Sequence, residues 1–219
     1  MHIHWYGQSA FRLDDGELTV AIDPFGDMSP LAGRGIRFDY PPITGLRADL
    51  LLITHEHRDH NATEVVAGDP VVLRSTAGRL DSPVGEVLAI AFEHDEAAGT
   101  ERGPNTIFAF TFDGVRVAHF GDLGQAQLRP EQAAALGDVD LLLIPVGDGP
   151  TIGAEQAAAI AAQTNARWIV PMHYRTERTS FLETADAFLQ RFERVQRLDT
   201  LDFDLPATGG PQVIVPAAP

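Results

Sequence analysis

Leu50-Leu51-Leu52-Ile53-Thr54-His55-Glu56-His57-Arg58-Asp59-His60 is the stretch of sequence that decides the fold. Its first four residues form a continuous apolar run, which predicts a β-strand covered on both faces. The residues that follow bring three histidines and one aspartate together within six positions. Because binding sites in α/β sheets lie beyond the carboxyl ends of strands, this placement predicts a functional loop.

The side chains of this loop are of metal-binding type. Imidazole and carboxylate groups are the usual nitrogen and oxygen ligands of zinc and its neighbours. His55 and His57 are two residues apart in an extended segment and can project to the same side. Asp59 and His60 follow where the chain turns, and would face a neighbouring position. Since four side chains of one short loop do not easily surround a single ion, the pattern indicates two ions; the alternative is a surface loop without metal.

Three further residues of the same chemical type each follow a predicted strand: His94, Asp122 and His173. Each would emerge at the carboxyl end of its strand, near the first cluster. A single histidine after a strand is more often a hydrogen-bonded loop residue. Three such residues beside the His/Asp loop favour metal binding instead.

The rest of the pattern predicts an α/β protein in one domain that spans residues 1–219. Residues 26–47 carry several Gly and Pro and predict a long loop, a length that usually accompanies function. Strands and helices alternate in the C-terminal half, which indicates βαβ units and, with the earlier strands, about twelve strands and at least four helices. The predicted strands are residues 2–6, 10–13, 18–22, 50–53, 71–74, 86–92, 105–112, 115–120, 140–146 and 167–172, with further short strands in 195–215. The predicted helices are residues 62–67, 130–136, 154–163 and 181–194.

The composition disfavours extended contacts with nucleic acid or membranes. There are 31 Asp and Glu against 16 Arg and no Lys, and the formal net charge of −15 repels phosphate groups and anionic lipid. Ordinary solubility is the simpler explanation of that charge. The chain has no cysteine, which excludes disulfides, thiolate metal sites and a cysteine nucleophile. No signal peptide or membrane-spanning stretch is evident, so we expect a cytoplasmic protein, and its oligomeric state is not predicted.

The motif His55-x-His57-x-Asp59-His60 after an apolar strand resembles the signature of the metallo-β-lactamase fold superfamily, which includes glyoxalase II, lactonases and tRNase Z. The chain is most similar to the small hydrolases that resemble ascorbate-6-phosphate lactonase. The resemblance implies an αββα sandwich of two mixed β-sheets flanked by helices, with the site at one edge between the sheets. The other stretches that carry it are Asp23-Pro24-Phe25, His94, Arg102-Gly103-Pro104-Asn105-Thr106, His119-Phe120-Gly121-Asp122-Leu123-Gly124 and Pro171-Met172-His173-Tyr174.

The resemblance also implies a ligand set. The first metal would be held by His55, His57 and His94, and the second by Asp59, His60 and His173, with Asp122 bridging both. Asp59, which would orient the hydroxide, and Asp122 are the expected catalytic residues. The expected cofactors are two divalent ions, Zn²⁺ in the first place, with Mn²⁺ or Fe²⁺ as alternatives.

The implied function is a metal-dependent hydrolase that cleaves a small ester, lactone or phosphoester. A hydroxide bridging two divalent ions roughly 3.5–4 Å apart would be the nucleophile. The expected partner is a small-molecule substrate whose identity the sequence does not give. The alternatives are a nucleic-acid phosphodiesterase, and a redox di-iron or non-enzymatic metal-binding protein.

Other residues carry secondary expectations. Asp23 resembles a family residue that orients the metal loop, although a strand-terminating turn is the alternative. His119 is expected to be buried and hydrogen-bonded rather than a ligand, and Tyr174 either stabilises an oxyanion or packs. Gln8 stands where related proteins often have His, so proton transfer at that position is in doubt.

Four arginines flank the predicted site and would suit an anionic substrate: Arg58, Arg102, Arg175 and Arg178. Guanidinium groups bind carboxylate and phosphate through paired hydrogen bonds. The alternative is that they form surface ion pairs with Glu56, Glu101 or Glu177. Specificity is expected to lie in the loops 26–47, 95–104 and 174–180.

Overall fold

Two mixed β-sheets make up the protein, whose computed structural model describes residues 1–95, 100–206, 208–210 and 212–219. The strands are β1 His2–Gly7, β2 Ala10–Asp14, β3 Thr19–Ile22, β4 Leu50–Ile53, β5 Val71–Arg74, β6 Gly78–Ser82, β7 Gly85–Glu93, β8 Pro104–Phe112, β9 Val115–His119, β10 Leu141–Pro145, β11 Trp168–Met172, β12 Val195–Arg197, β13 Asp202–Asp204 and β14 Gln212–Val215. The α-helices are α1 Pro130–Leu136, α2 Ala154–Gln163 and α3 Asp186–Leu189, and Ser29–Arg34 and Thr63–Val65 form 3-10 helices.

The strand directions bring the ends of several strands to common edges. The six-stranded sheet has the order β13-β1-β2-β3-β4-β5, and the eight-stranded sheet β12-β14-β11-β10-β9-β8-β7-β6. β3 and β4 are parallel, and so are β9, β10 and β11. β7 and β9 also run the same way, because both are antiparallel to β8. The loops after β7, β9 and β11 therefore share one edge, as do those after β3 and β4.

The side chains of the six-stranded sheet alternate between two apolar clusters. Val20 and Leu50 lie in the core shared with the eight-stranded sheet. Ala21 and Leu51, the next residues along the same strands, pack on the other face against aromatic residues that include Phe38. Successive side chains of a strand point to opposite faces, so a strand covered on both sides is apolar throughout. The long loop 26–47 thus supplies cover for the outer face of this sheet.

Helices flank the sheets, as the sequence predicts. α1 packs against β7, α2 packs against β10, and α3 packs against α2. No helix in the described part of the chain combines the length and the apolar character that crossing a membrane requires. Two mixed sheets with flanking helices confirm the predicted fold class.

The predicted helix over residues 181–194 is wrong for most of its length, since only Asp186–Leu189 is α-helical. The backbone N–H of Glu183 donates to Gly147, and its carbonyl accepts from Arg175. These groups are therefore not free to make helical hydrogen bonds. After α3 the turns tighten, with Phe192 bonding only three residues back to Leu189.

Two further predictions of local structure need correction. Residues 62–67 contain only a short 3-10 helix, because Ala67 donates its backbone N–H to Leu46. β6 is not predicted by the sequence pattern, since its side chains are exposed or only half-buried and show no apolar alternation. The described residues therefore hold fourteen strands rather than about twelve, and three α-helices rather than at least four.

Candidate metal centre

The seven residues that the sequence singles out lie together at the carboxyl ends of four strands. β4 belongs to the six-stranded sheet, and the other three strands belong to the eight-stranded sheet. The cluster therefore joins the two sheets. Its members are His55, His57, Asp59 and His60 after β4, His94 after β7, Asp122 after β9 and His173 after β11.

Asp122 lies at the centre of the cluster and is buried. Its Oδ2 atom lies 3.2 Å from Nε2 of His94 and 3.2 Å from Nε2 of His173. The same oxygen is 3.8 Å from Nε2 of His55, and Oδ1 is 3.2 Å from Nε2 of His60. One carboxylate thus contacts histidines that the family resemblance assigns to different ions.

The potential ligand atoms form three overlapping groups, and within each group the atoms all lie within 4.8 Å of one another. The first ligand group is His55, His57, His94 and Asp122, and the second ligand group is Asp59, His60 and His173. The third group, Asp23 with His55 and His60, takes its two histidines from the other groups. Most members are buried, but His57 is exposed and Asp59 is partly exposed. The cluster is therefore open to solvent on the side of these two residues.

Asp23, which the sequence marks as an orienting residue, fixes the tautomers of two histidines. Its Oδ1 accepts from the Thr54 N–H at 2.8 Å, and its Oδ2 accepts from the Thr54 hydroxyl at 2.6 Å and from His60 Nδ1 at 2.9 Å. Because the Thr54 hydroxyl donates to Asp23, it accepts from His55 Nδ1, 3.0 Å away. Both histidines therefore carry a proton on Nδ1 and direct Nε2 towards the cluster, where a bound cation would replace any proton on Nε2, as in metal-binding histidines.

Several buried polar atoms of the cluster suit a metal ion. Hydrogen-bond partners are missing, among the described residues, for His60 Nε2, both ring nitrogens of His94, Asp122 Oδ1 and His173 Nδ1. Buried polar atoms are normally paired, and each unpaired one costs about 1–3 kcal/mol. Imidazole nitrogen and carboxylate oxygen are donors that Zn²⁺, Mn²⁺ and Fe²⁺ accept. The residues present therefore fit divalent cations.

The charges of the cluster lead to the same conclusion. Burial disfavours a charged imidazole, yet Asp122, Asp59 and Asp23 raise the pKa of His60 well above its ordinary value. Around His55, by contrast, burial lowers the pKa well below the ordinary value, and that imidazole stays neutral. Three carboxylates around one histidine leave an excess of negative charge that a bound cation would balance.

Asn105 holds the Asp122 segment in place, a role that the sequence does not reveal. Its side-chain N–H donates to the carbonyl of Phe120 at 2.9 Å, and its Oδ1 accepts from the Asp122 N–H. Gly121 between them has φ +52, and a Cβ there would lie 2.6 Å from the Thr54 hydroxyl. In the sequence, only the polar Asn105 at the start of a largely apolar strand could have drawn attention to this position.

His119 and Tyr174 lie beside the cluster without joining it. His119 is buried; its Nε2 lies 3.0 Å from the Ser9 carbonyl, and its Nδ1 accepts from the Gly121 N–H at 3.1 Å. Both ring nitrogens are thus used, which confirms the prediction of a hydrogen-bonded histidine. Tyr174 is buried and stacks on Trp5 with ring centroids 5.6 Å apart, which favours packing over oxyanion stabilisation.

Two of the loops expected to set specificity line cavities. The loop 26–47 contributes most of the lining of a cavity of about 800 Å³, whose walls include Phe25, Phe38 and Tyr40. A smaller polar cavity of about 330 Å³ is lined by residues that include His94 and Arg102. Residues 96–99 of the loop 95–104 lie outside the described residues.

The four arginines near the site differ in their surroundings. Arg175 contacts the Leu182 carbonyl and Glu183, and Arg178 donates to the Pro219 carbonyl. Arg102 lines the polar cavity beside His94. Arg58 lines a separate cavity of about 300 Å³. Glu56, a predicted partner of these arginines, instead binds Arg74 through two hydrogen bonds.

Comparisons with known proteins agree with this geometry. The family model described as a β-lactamase superfamily domain matches residues 2–173. A metal-dependent hydrolase of Methanosphaera stadtmanae is 30% identical over 209 residues, which cover 80% of this chain and 85% of the relative. A metal-dependent hydrolase of Methylobacterium nodulans is 31% identical over 229 residues, which cover 88% and 92%.

A crystal structure from Thermotoga maritima, described as a proposed Zn-dependent hydrolase of the metallo-β-lactamase superfamily, superposes with a TM-score of 0.79 at 30% identity. The match covers 98% of this chain and 97% of the Thermotoga chain. By its sequence, its sheets and its cluster of histidines and aspartates, the chain belongs to the metallo-β-lactamase superfamily, among relatives named metal-dependent hydrolases.

Proposed function

We propose that this protein is a hydrolase that binds two divalent cations and cleaves a small ester, lactone or phosphoester. The observation that carries the proposal is the position of Asp122, whose two carboxylate oxygens face histidines of both ligand groups. The names of the relatives support metal dependence and hydrolysis. The Thermotoga protein supports Zn²⁺ as the ion, with Mn²⁺ and Fe²⁺ as alternatives.

The ligands follow from the two groups. We assign His55, His57 and His94 to the first ion, Asp59, His60 and His173 to the second, and Asp122 to both. When bound, two divalent ions polarise a carbonyl or phosphoryl oxygen and supply hydroxide at neutral pH.

The protein's own residues would orient this chemistry. Asp23 keeps the Nε2 lone pairs of His55 and His60 directed into the site. Asp59, on the solvent-accessible side, would orient the attacking hydroxide. Asp122 would set the separation of the ions. The substrate would enter past His57 and Asp59, where the cluster is open.

The substrate class follows from size and charge. The polar cavity of about 330 Å³ that His94 lines suits a small molecule. The net charge of −15 opposes the phosphate contacts that a nuclease needs. A small-molecule hydrolase in the cytoplasm accounts for these features better than a nucleic-acid phosphodiesterase.

Metal analysis and a substrate panel test the proposal together. Purified protein should bind close to two Zn²⁺ per chain, and zinc-loaded protein should hydrolyse members of a panel of lactones, esters and phosphoesters. His57→Ala should lose metal and activity while the circular dichroism spectrum of the sheets is retained. His4→Ala is the matched control, because His4 pairs with Asp202 on the surface of β1. The proposal would be overturned if the protein took up neither zinc nor manganese. It would also be overturned if nucleic acid were the only substrate that the protein hydrolysed.

A further inference from the structure

The side chain of Gln8 reaches the candidate metal centre from the turn between β1 and β2. Its Nε2 donates a hydrogen bond of 2.9 Å to Oδ2 of Asp59. The side chain is fully buried, and its Oε1 has no hydrogen-bond partner among the described residues. The reverse orientation of the amide would place its oxygen against a carboxylate oxygen, so the donor must face Asp59.

Two hydrogen bonds hold the backbone carbonyl of Gln8, and one of them comes from a residue of the metal centre. Its carbonyl accepts from the indole N–H of Trp5 at 3.1 Å and from the backbone N–H of His173 at 3.2 Å. Its φ of 50° is uncommon for a residue other than glycine, asparagine or aspartate. Such a conformation costs about 1–3 kcal/mol and persists only where the surroundings fix it. One residue thus contacts two members of the second ligand group, Asp59 and His173.

The other side of the turn is closed by Tyr40. Gly7 has φ +104, and a Cβ at this position would meet the Tyr40 ring at 2.5 Å. The Tyr40 hydroxyl lies 3.0 Å from that of Thr176. The turn therefore has little freedom to move, and the Gln8 amide approaches Asp59 from a fixed direction.

The chemistry of an amide suits this position. Asp59 is partly exposed and lies in a loop, so its carboxylate needs a hydrogen-bond partner to hold one rotamer. A lysine or arginine could be that partner, but its positive charge would offset the negative charge with which Asp59 attracts a cation. An amide donates a hydrogen bond and carries no charge, so Asp59 keeps its full negative charge.

We infer that Gln8 is a positioning residue that holds Asp59 and the His173 backbone in place for the second ion. This inference rests on the proposed function, because it presupposes two ion positions. It assigns a role to a residue that cannot transfer a proton and is not a ligand in the proposed set. Loss of its amide donor should lower the affinity for the second ion and leave the affinity for the first ion unchanged.

Stepwise zinc titration against a chromophoric chelator tests the inference. Gln8→Met keeps the length of the side chain, removes the donor and adds no charge. Its affinity for the second Zn²⁺ should fall by about 10–100-fold, as is typical when a partner of a metal ligand is removed, and its affinity for the first should be unchanged. Ser9→Ala is the matched control in the same turn, since the Ser9 hydroxyl is buried without a partner. It should bind both ions as the wild type does.

The outcomes separate this inference from the proposed function. A wild-type protein that binds fewer than two ions contradicts the proposed function itself. If the wild type binds two and Gln8→Met binds the second equally tightly, the inference alone is wrong. If Gln8→Met weakens the binding of both ions equally, Gln8 has a merely structural role and the inference is wrong. The same holds if Ser9→Ala weakens binding of the second ion as much as Gln8→Met does. If Gln8→Met does not fold, Gln8→Leu replaces it, because leucine also removes the amide donor without adding a charge, and the same selective loss of affinity for the second ion is expected.

Discussion

The carboxylate of Asp23 and the imidazole of His60 form a hydrogen bond of 2.9 Å between two fully buried side chains. Asp23 follows β3, and His60 belongs to the loop after β4, its parallel neighbour in the sheet. Because parallel neighbours end at the same edge, an aspartate at one end can orient a histidine at the other. The bond places the proton on Nδ1 of His60 and leaves Nε2 facing Asp59 and Asp122.

We predict that Asp23→Asn weakens zinc binding by about 10–100-fold without changing the ligands. An asparagine amide has one acceptor atom where the carboxylate has two, so one of the donors from Thr54 and His60 loses its partner. Competition with a chelator measures the affinity. Asp140→Asn is the control, since Asp140 accepts a hydrogen bond from Arg116 in a different part of the structure. Equal zinc affinities of both variants and the wild type would contradict the orienting role.

A second prediction concerns pH and the ion pair of Glu56 with Arg74. The hydrogen bonds from Arg74 lower the pKa of Glu56 below its ordinary value of 4.5. A carboxylate with a lowered pKa stabilises the fold above the unfolded-state pKa, and this contribution is lost as the pH falls through the folded-state pKa. Both side chains are half exposed, so the contribution is at most about 1 kcal/mol.

Urea denaturation of the metal-free protein measures this contribution. Glu56→Gln should lower the free energy of unfolding at pH 7, and the difference from wild type should shrink as the pH approaches about 4. Arg74→Gln should behave in the same way, because it removes the same ion pair. A difference that stays constant over this pH range would show that the pair contributes through packing alone.

That the seven histidines and aspartates lie together is predictable, because it depends on local patterns. His94, Asp122 and His173 each follow an apolar run, and such a run fixes where a strand ends. The tautomers of His55 and His60 are not predictable in this way, because Asp23 acts on them through the pairing of β3 with β4. Long-range pairings of this kind leave no periodic trace in the sequence.

Long-range contacts also explain why the structure differs from the sequence-based predictions elsewhere. The segment 181–194 has helical composition, but the backbone of Glu183 bonds to Gly147 and Arg175, which lie outside it. The contact of Gln8 with Asp59 joins residues 51 positions apart through a turn with positive φ. In each case tertiary hydrogen bonds decide the local structure, whereas propensity decides it only where no such bond competes.

A third prediction concerns nucleic acid. At physiological salt we expect no appreciable affinity for duplex DNA or structured RNA, because a net charge of −15 opposes phosphate contacts. A gel-shift assay with the zinc-loaded protein measures this. Submicromolar binding would overturn the expectation and favour the phosphodiesterase alternative.

A fourth prediction concerns the charge of the substrate. Arg102 lines the polar cavity together with His94, whereas Arg178 donates to the Pro219 carbonyl. If Arg102 binds an anionic group of the substrate, Arg102→Ala should raise KM for anionic esters by about tenfold or more, since charge-assisted hydrogen bonds contribute about 1.5–3 kcal/mol. Neutral esters with the same leaving group should be unaffected. Arg178→Ala is the control, and equal effects of Arg102→Ala on both ester classes would exclude an anion site here.

The last prediction concerns Asp122, which we assign to both ions. Its carboxylate offsets part of the positive charge of two cations and faces histidines of both groups. Asn has nearly the same shape without the charge, so Asp122→Asn should keep the fold and weaken binding of the second ion. Turnover should fall by orders of magnitude, and added metal should restore it only in part.

His119→Ala is the comparison for Asp122→Asn, because both ring nitrogens of His119 form hydrogen bonds within the protein. It should lower the melting temperature and retain both ions. If Asp122→Asn instead kept its metal and its rate while His119→Ala lost both ions, His119 would be the ligand on this strand.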